Sequence, residues 1–316
     1  MTGKIIMGIS VFLVVPFLLI CHVIGKKFLR NLNRKAPGEE FDADFDVSFY
    51  KNSPVRKMAD EGMKYMETLP HEDVFINSHD GLRLHATYFP ADENPKKFVV
   101  GIHGFQSHAW NEYAPHIAFY RSLGYSMILP DDRAHGYSEG RYITMGVKDR
   151  FDCVNWAKYI VDRFGNDVEI LLHGVSMGGA TVLSASAEKD LPKQVIGVVS
   201  DCGFTCVEDA FAYQMKSMYH TSSKFPVKVC KWFAKHKAGF DFNDGRPIDR
   251  VKHSRVPILI VQGAVDPIVP PYMAKELYEA CTSEKKLLMV EGASHAESIA
   301  IDEYGYHNAI HELFGI

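Results

Sequence analysis

The stretch LLHGVSMGGATVLSA, Leu171 to Ala185, decides how the rest of the chain is read. An apolar run leads into Gly174-Val175-Ser176-Met177-Gly178, and a helix-forming run follows. A strand turning sharply into a helix strains the backbone at the corner, and side chains two positions to either side would collide. Glycine at both positions removes the collision. The spacing predicts strand, corner and helix, with the Ser176 hydroxyl held above the carboxyl edge of a sheet and a helix N-terminus behind it. Such a serine is a nucleophile rather than a bland turn residue, provided a base takes its proton.

Working outward, the base and its acid are sought downstream, in the order serine, acid, histidine. The run VQGAVDPIVP ends a predicted strand at Asp266, and VEGASHAES ends the next at His295. His295 is the expected general base and then general acid; Asp266 would orient its imidazole and stabilise the charged form. The bland reading of Asp266 is a cap on the helix starting near Pro270. Asp201 also follows a strand and is the rival acid. An oxyanion needs backbone N–H donors. The expected pair is Met177, next to the nucleophile, and Phe105, in the glycine-containing loop His103-Gly104-Phe105. Trp110 and Tyr113, just beyond that loop, are the expected aromatic walls of the substrate site.

Six apolar strand-like runs, KFVVGIHG, YSMILPDD, VEILLHGV, VIGVVSDC, PILIVQGA and KKLLMVEG, alternate with helical patterns at 111–122, 149–163, 178–189, 272–281 and 301–313. Near-continuous apolar runs suit strands buried on both faces, and the alternation implies right-handed crossovers in a mostly parallel sheet. DVFINS and LRLHATYF around HDG read as an antiparallel hairpin leading the sheet. Residues 203–246, between two of the strands, read as a helical cap. The expected organisation is an N-terminal anchor with a basic flank over 1–35, a polar connector over 36–71 with a helix near Pro54 to Thr68, and a catalytic domain over 72–316.

Ile5 to Ile24 contain no Asp, Glu, Lys or Arg, a length that predicts a transmembrane helix rather than a cleaved leader. Lysines and arginines gather after the run, which favours a domain on the cytoplasmic side of the cell membrane. Lys228, Lys231 and Lys235 recur at helical spacing in FPVKVCKWFAKHK. They form a solvated face or, on the sharper reading, one that leans on an anionic membrane.

Composition excludes other classes. The chain of 316 residues is 47% hydrophobic and 23% charged, as folded globular domains are. A net charge of −4 without a basic block gives no nucleic-acid footprint. The six cysteines include no CxxC pair and read as free thiols, with a Cys202–Cys206 pairing left open. Fifteen histidines occur without HExxH or zinc-finger spacing, so no metal site is expected, the pair His103 and His108 included. In DDRAHGYSEG, polar side chains are expected to brace the loops behind Ser176.

Taken together, IHGF, LPDDRAHGYSEG, LHGVSMGGATVL, VSDCGFT, DFNDG, VQGAVDPIVP and GASHAES resemble the α/β-hydrolase superfamily, over Glu72 to the C-terminus. More narrowly, the chain is similar to bacterial serine hydrolases with an N-terminal membrane segment. The resemblance implies an α/β-hydrolase fold with an eight-stranded sheet, no cofactor, and a Ser176–Asp266–His295 triad. Ala134 departs from the glycine usual in that turn. The implied chemistry is hydrolysis of a small-molecule carboxylic ester through an acyl-serine. A peptidase or amidase, and an acyltransferase, would use the same three residues. A non-catalytic binding protein on this fold would be expected to lack the serine or the histidine.

Overall fold

The structure, a computed structural model, describes residues 2–34 and 53–316; the side chains of residues 2–14 and 219 lie outside that description, as does the 36–52 part of the predicted connector. The apolar runs form one eight-stranded sheet in the order β1-β2-β4-β3-β5-β6-β7-β8. The strands are β1 (Glu72–Asn77), β2 (Arg83–Phe89), β3 (Lys97–Ile102), β4 (Tyr125–Pro130), β5 (Glu169–Val175), β6 (Val195–Asp201), β7 (Ile258–Gly263) and β8 (Lys285–Val290). β1 and β2 pair antiparallel, and β2 also runs antiparallel to β4; all other neighbours are parallel.

Because side chains alternate along a strand, both faces need cover. Phe98, Val100, Ile170, Leu172, Val198, Ile258 and Ile260 face one core, under α4 (Asp149–Phe164), α5 (Met177–Ala185) and α9 (Pro271–Ala280). Val99, Leu171, Val199, Leu259 and Val261 face the other, with α2 (Pro54–Glu67), α3 (Ala109–Ser122) and α11 (Glu303–Phe314); the short α10 (Ser298–Ile301) precedes α11. Between β6 and β7 the chain makes α6 (Val207–Tyr219), α7 (Phe225–Phe233), a π-helical turn over Ala234–Ala238, and the single turn α8 (Pro247–Arg250). Residues 203–246, which the sequence reads as a cap, fall within this helical segment. All six cysteines are free, so Cys202 and Cys206 do not pair.

Two expectations about the N-terminal part change. The connector helix α2 is not a spacer. Ser53 caps its first turn, and Ala59 and Met66 join the same buried cluster as Tyr113 and Ile117 of α3. The first helix, α1 (Thr2–Asn31), is one unbroken element whose C-terminal turns belong to the cap. Phe28 and Leu32 are buried with Phe204, Phe240 and Phe242, and Phe28 meets Phe211 edge to face. α7 runs beside α1: the Phe17 and Phe225 rings are 5.4 Å apart, and Phe233 sits so close over Gly25 that any Cβ there would overlap its ring.

The structure gives no support to the predicted crossing over Ile5–Ile24. Among the described residues no helix is long and apolar enough to cross a membrane.

Candidate active site

Ser176 stands at the corner between β5 and α5 with φ 57° and ψ −113°, a conformation that L-residues rarely adopt. Its backbone is tied on both sides, the amide donating to the Asp201 carbonyl at 2.8 Å and the carbonyl accepting from Ala180 at 3.0 Å. The flanking glycines are required by close approach. A Cβ at Gly174 would lie 2.1 Å from the Gly178 carbonyl, and one at Gly178 only 1.9 Å from that of Ile102.

The three residues that the sequence suggests as a triad meet at this corner. His295 Nε2 lies 2.9 Å from Ser176 Oγ, and its Nδ1 lies 2.7 Å from Asp266 Oδ2. Asp266 is fixed by more than the histidine. Its Oδ1 accepts from the Ile268 and Val269 amides at 2.7 and 2.9 Å, and Oδ2 also accepts from Gln262 Nε2 at 2.9 Å. With Oδ2 accepting, Nδ1 carries the proton and Nε2 presents a lone pair to the serine hydroxyl. Burial by itself would lower the His295 pKa; the adjacent Asp266 carboxylate outweighs it, and the net direction is upward.

The rival acid, Asp201, does not bond His295. It is buried behind the site, accepts a hydrogen bond from the Tyr306 hydroxyl, and is pushed up to about 7, chiefly by burial. Tyr306 in turn meets His173 Nε2 at 3.0 Å, and Tyr120 meets His173 Nδ1 at 3.0 Å. Asp201 therefore ends a buried polar chain, and its main-chain carbonyl steadies the serine corner.

Opposite Ser176, the loop after β3 is held from several directions. A Cβ on Gly104 would be 3.4 Å from that of Ser176. The Gly104 carbonyl meets His103 Nδ1 at 2.8 Å, and the Asp132 amide donates to His103 Nε2 at 3.0 Å. Both ring nitrogens of His103 are thus engaged, which leaves nothing for a metal. Gln106, at φ 56°, donates its amide to His135 Nε2 at 3.2 Å. Its side-chain Nε2 donates to the Asn31 carbonyl, the end of α1, at 2.8 Å. Phe105 itself packs with Met177, Phe28 and Leu32 in one apolar cluster. As the first residue of α5, Met177 has no intrahelical acceptor for its amide.

The bracing expected of the 131–136 loop is present. Arg133 forms a bidentate pair with Asp152, at 2.6 and 2.8 Å, and reaches Asp80 at 3.1 Å. Ala134 takes the left-handed turn at φ 64° that glycine would otherwise supply.

The two expected pocket walls are not there. Tyr113 is fully buried, its hydroxyl donating to the Ile102 and His173 carbonyls at 3.0 and 2.5 Å, so it is a core residue under α3. Trp110 donates its indole N–H to Thr87 Oγ1 at 2.9 Å and packs on Phe89 and His71. Both belong to the α2–α3 side of the sheet. Two residues near the serine went unread in the sequence. Cys202 Sγ lies 3.9 Å from His295 Nε2, within VSDCGFT. Glu112 Oε2 accepts from the Gly104 amide at 3.4 Å.

Sequence comparison agrees with this architecture. The family described as serine aminopeptidase, S33, matches residues 93–239, and that described as TAP-like protein matches 230–313. An uncharacterized protein of Bacillus subtilis is 23% identical over 82% of this chain and 88% of its own. An uncharacterized membrane protein of Saccharomyces cerevisiae is 30% identical over 59% of this chain and 60% of its own. The solved structure of a Pyrococcus furiosus esterase superposes with a TM-score of 0.63 at 22% identity, covering 78% of this chain and 91% of that one. The chain belongs to the α/β-hydrolase superfamily.

Proposed function

We propose that the protein is a serine carboxylesterase in which Ser176, His295 and Asp266 form the catalytic triad. The observation that carries this reading is the hydrogen-bonded line from Asp266 through His295 to Ser176 Oγ. In the first step Ser176 Oγ attacks the ester carbonyl carbon and His295 Nε2 takes the hydroxyl proton. The tetrahedral oxyanion is held by the Phe105 and Met177 amides. Collapse breaks the acyl C–O bond, and the alcohol leaves with the proton from His295. Water, deprotonated by the same nitrogen, then attacks the acyl-serine and releases the acid. No step needs a cofactor. The apolar surroundings of Phe105 and Met177 suit an acyl chain better than a charged peptide terminus.

Hydrolysis of an aminoacyl amide is the second reading, favoured by the family description that spans Ser176. Side-by-side assay of p-nitrophenyl esters and aminoacyl anilides separates the two, with the ester turned over faster by at least about 100-fold on the esterase reading. A fluorophosphonate probe should label Ser176; absence of both labelling and ester turnover would sink the proposal.

The apolar run at residues 5–24 is proposed as a membrane attachment, with the domain on the cytoplasmic side. Attachment bears on the site, because Gln106 joins the oxyanion loop to the end of α1. Gln106→Met keeps the side-chain volume but loses the donor to the Asn31 carbonyl. Loop displacement of about 1 Å costs up to about 100-fold in rate. We expect kcat for p-nitrophenyl acetate to fall by about 10-fold with KM within about twofold. An unchanged kcat would mean that the tie does not position the loop.

A further inference from the structure

Among the described residues, six exposed large apolar side chains gather on α1. Val15, Phe17, Leu18, Leu19, Ile20 and Val23 of α1 are each half or more exposed, and the VPFLLI segment is apolar on every side of the helix. A helix that is apolar all round belongs in a core or in lipid, and contiguous patches of this kind mark contact surfaces.

Beside this segment runs α7, which adds exposed Trp232. Residues 220–240 contain five lysines and no Asp or Glu. Lys231 and Lys235 are neutralised by Glu208 and Asp241. Lys224, Lys228 and Lys237 form no ion pair among the described residues, and all three are exposed. An apolar strip edged by a tryptophan and unneutralised lysines matches the layered chemistry of an anionic lipid surface: hydrocarbon, then interface, then phosphate. A soluble protein partner would need its own acidic groups and apolar core to be complementary to the same strip.

The strip is also close to the serine. α1 continues without a break from Ile24 to Asn31, about 10 Å at 1.5 Å per residue, and the Asn31 carbonyl accepts from Gln106 next to Phe105. Phe28 and Leu32 of the same helix share an apolar cluster with Phe105 and Met177.

Building on the serine-esterase reading, we propose that the α1–α7 face rests in the headgroup layer of an anionic bilayer, and that the ester attacked by Ser176 belongs to an acyl lipid resident in that bilayer. The cap is then the membrane-facing side of the enzyme. The ester linkage of such a lipid lies at headgroup depth, level with the last turns of α1.

The test uses the full chain, with 4-methylumbelliferyl oleate carried in vesicles of phosphatidylcholine alone or mixed with phosphatidylglycerol, and soluble p-nitrophenyl acetate as the reference. The quantity read is the ratio of bilayer-ester to soluble-ester turnover. It should be at least about 10-fold higher on anionic vesicles, and the combined Lys224→Glu, Lys228→Glu, Lys237→Glu variant should bring it down to the neutral-vesicle value. Trp232→Ala should lower the same ratio on both vesicle types. A ratio indifferent to lipid charge and to these variants, with p-nitrophenyl acetate still cleaved, overturns the proposal while leaving the esterase reading intact. Loss of p-nitrophenyl acetate cleavage and of fluorophosphonate labelling in the unaltered protein overturns both.

Discussion

Replacing Ser176 with alanine is expected to lower kcat for a p-nitrophenyl ester by about 10⁶-fold, equivalent to about 8 kcal/mol of transition-state stabilisation. The loss is this large because the serine contributes a bond, not a contact. Without Oγ there is no acyl-enzyme, and the His295–Asp266 pair has no proton to move. What survives, about 10³–10⁴-fold over the reaction in water, comes from the oxyanion amides and from substrate binding. Folding should be little affected. The residue is needed for its hydroxyl, while the corner is held by the two glycines and by main-chain bonds to Asp201 and Ala180. Alanine at φ 57° meets the same strain as serine. Thermal unfolding measured beside activity therefore separates the readings: a matching Tm with abolished turnover and labelling is expected. Retention of more than about one per cent of the wild-type rate would point to a different nucleophile.

How far the sequence speaks depends on how local the physics is. The serine corner is local: glycines two residues to either side of Ser176 answer a collision within five residues, so the string alone indicates the turn. Asp266 and His295 were legible because each lies in the loop after an apolar run that reads as a strand, and parallel neighbours bring those loops to one edge of the sheet. The aromatic residues after the oxyanion loop misled for the opposite reason. α3 is apolar on two sides, one toward the sheet and one toward α2, and no periodicity within it says that Tyr113 will meet the His173 carbonyl 60 positions away. The residues after the apolar run at Ile5–Ile24 were underread in the same way. They read only as a basic flank, yet Phe28 and Leu32 pack into the cluster of Phe204, Phe240 and Phe242, and Gln106 reaches Asn31 across 75 positions. Composition cannot distinguish an apolar residue that faces lipid from one that faces a partner helix.

The second large effect discriminates between two carboxylates. Asp266→Asn should reduce kcat by about 10⁴-fold, whereas Asp201→Asn should remain within about 10-fold of wild type. The difference follows from which atoms each carboxylate meets. The Ile268 and Val269 amides both donate to Asp266 Oδ1, so an asparagine there keeps its carbonyl oxygen on that side and turns its NH₂ toward His295. Facing a donor, Nδ1 must offer a lone pair. The proton then sits on Nε2, and the imidazole donates to Ser176 Oγ instead of accepting its proton. Asparagine at Asp201 meets no such conflict, because that side chain bonds Tyr306 and has a second oxygen without a partner. The pH profile gives an independent check with a defined sign. The imidazole must be neutral to act as base, so kcat/KM rises as pH increases through its pKa. Burial alone would lower that pKa below 6.5; the Asp266 carboxylate reverses the direction, so the wild-type acid limb should lie above pH 6.5. With Asp266 replaced, burial is opposed only by the more distant Asp201 and Glu112, and the limb of the residual activity should move to lower pH. If instead Asp266→Asn leaves turnover within about 10-fold of wild type and the limb in place, while Asp201→Asn abolishes activity, the acid of the triad is Asp201.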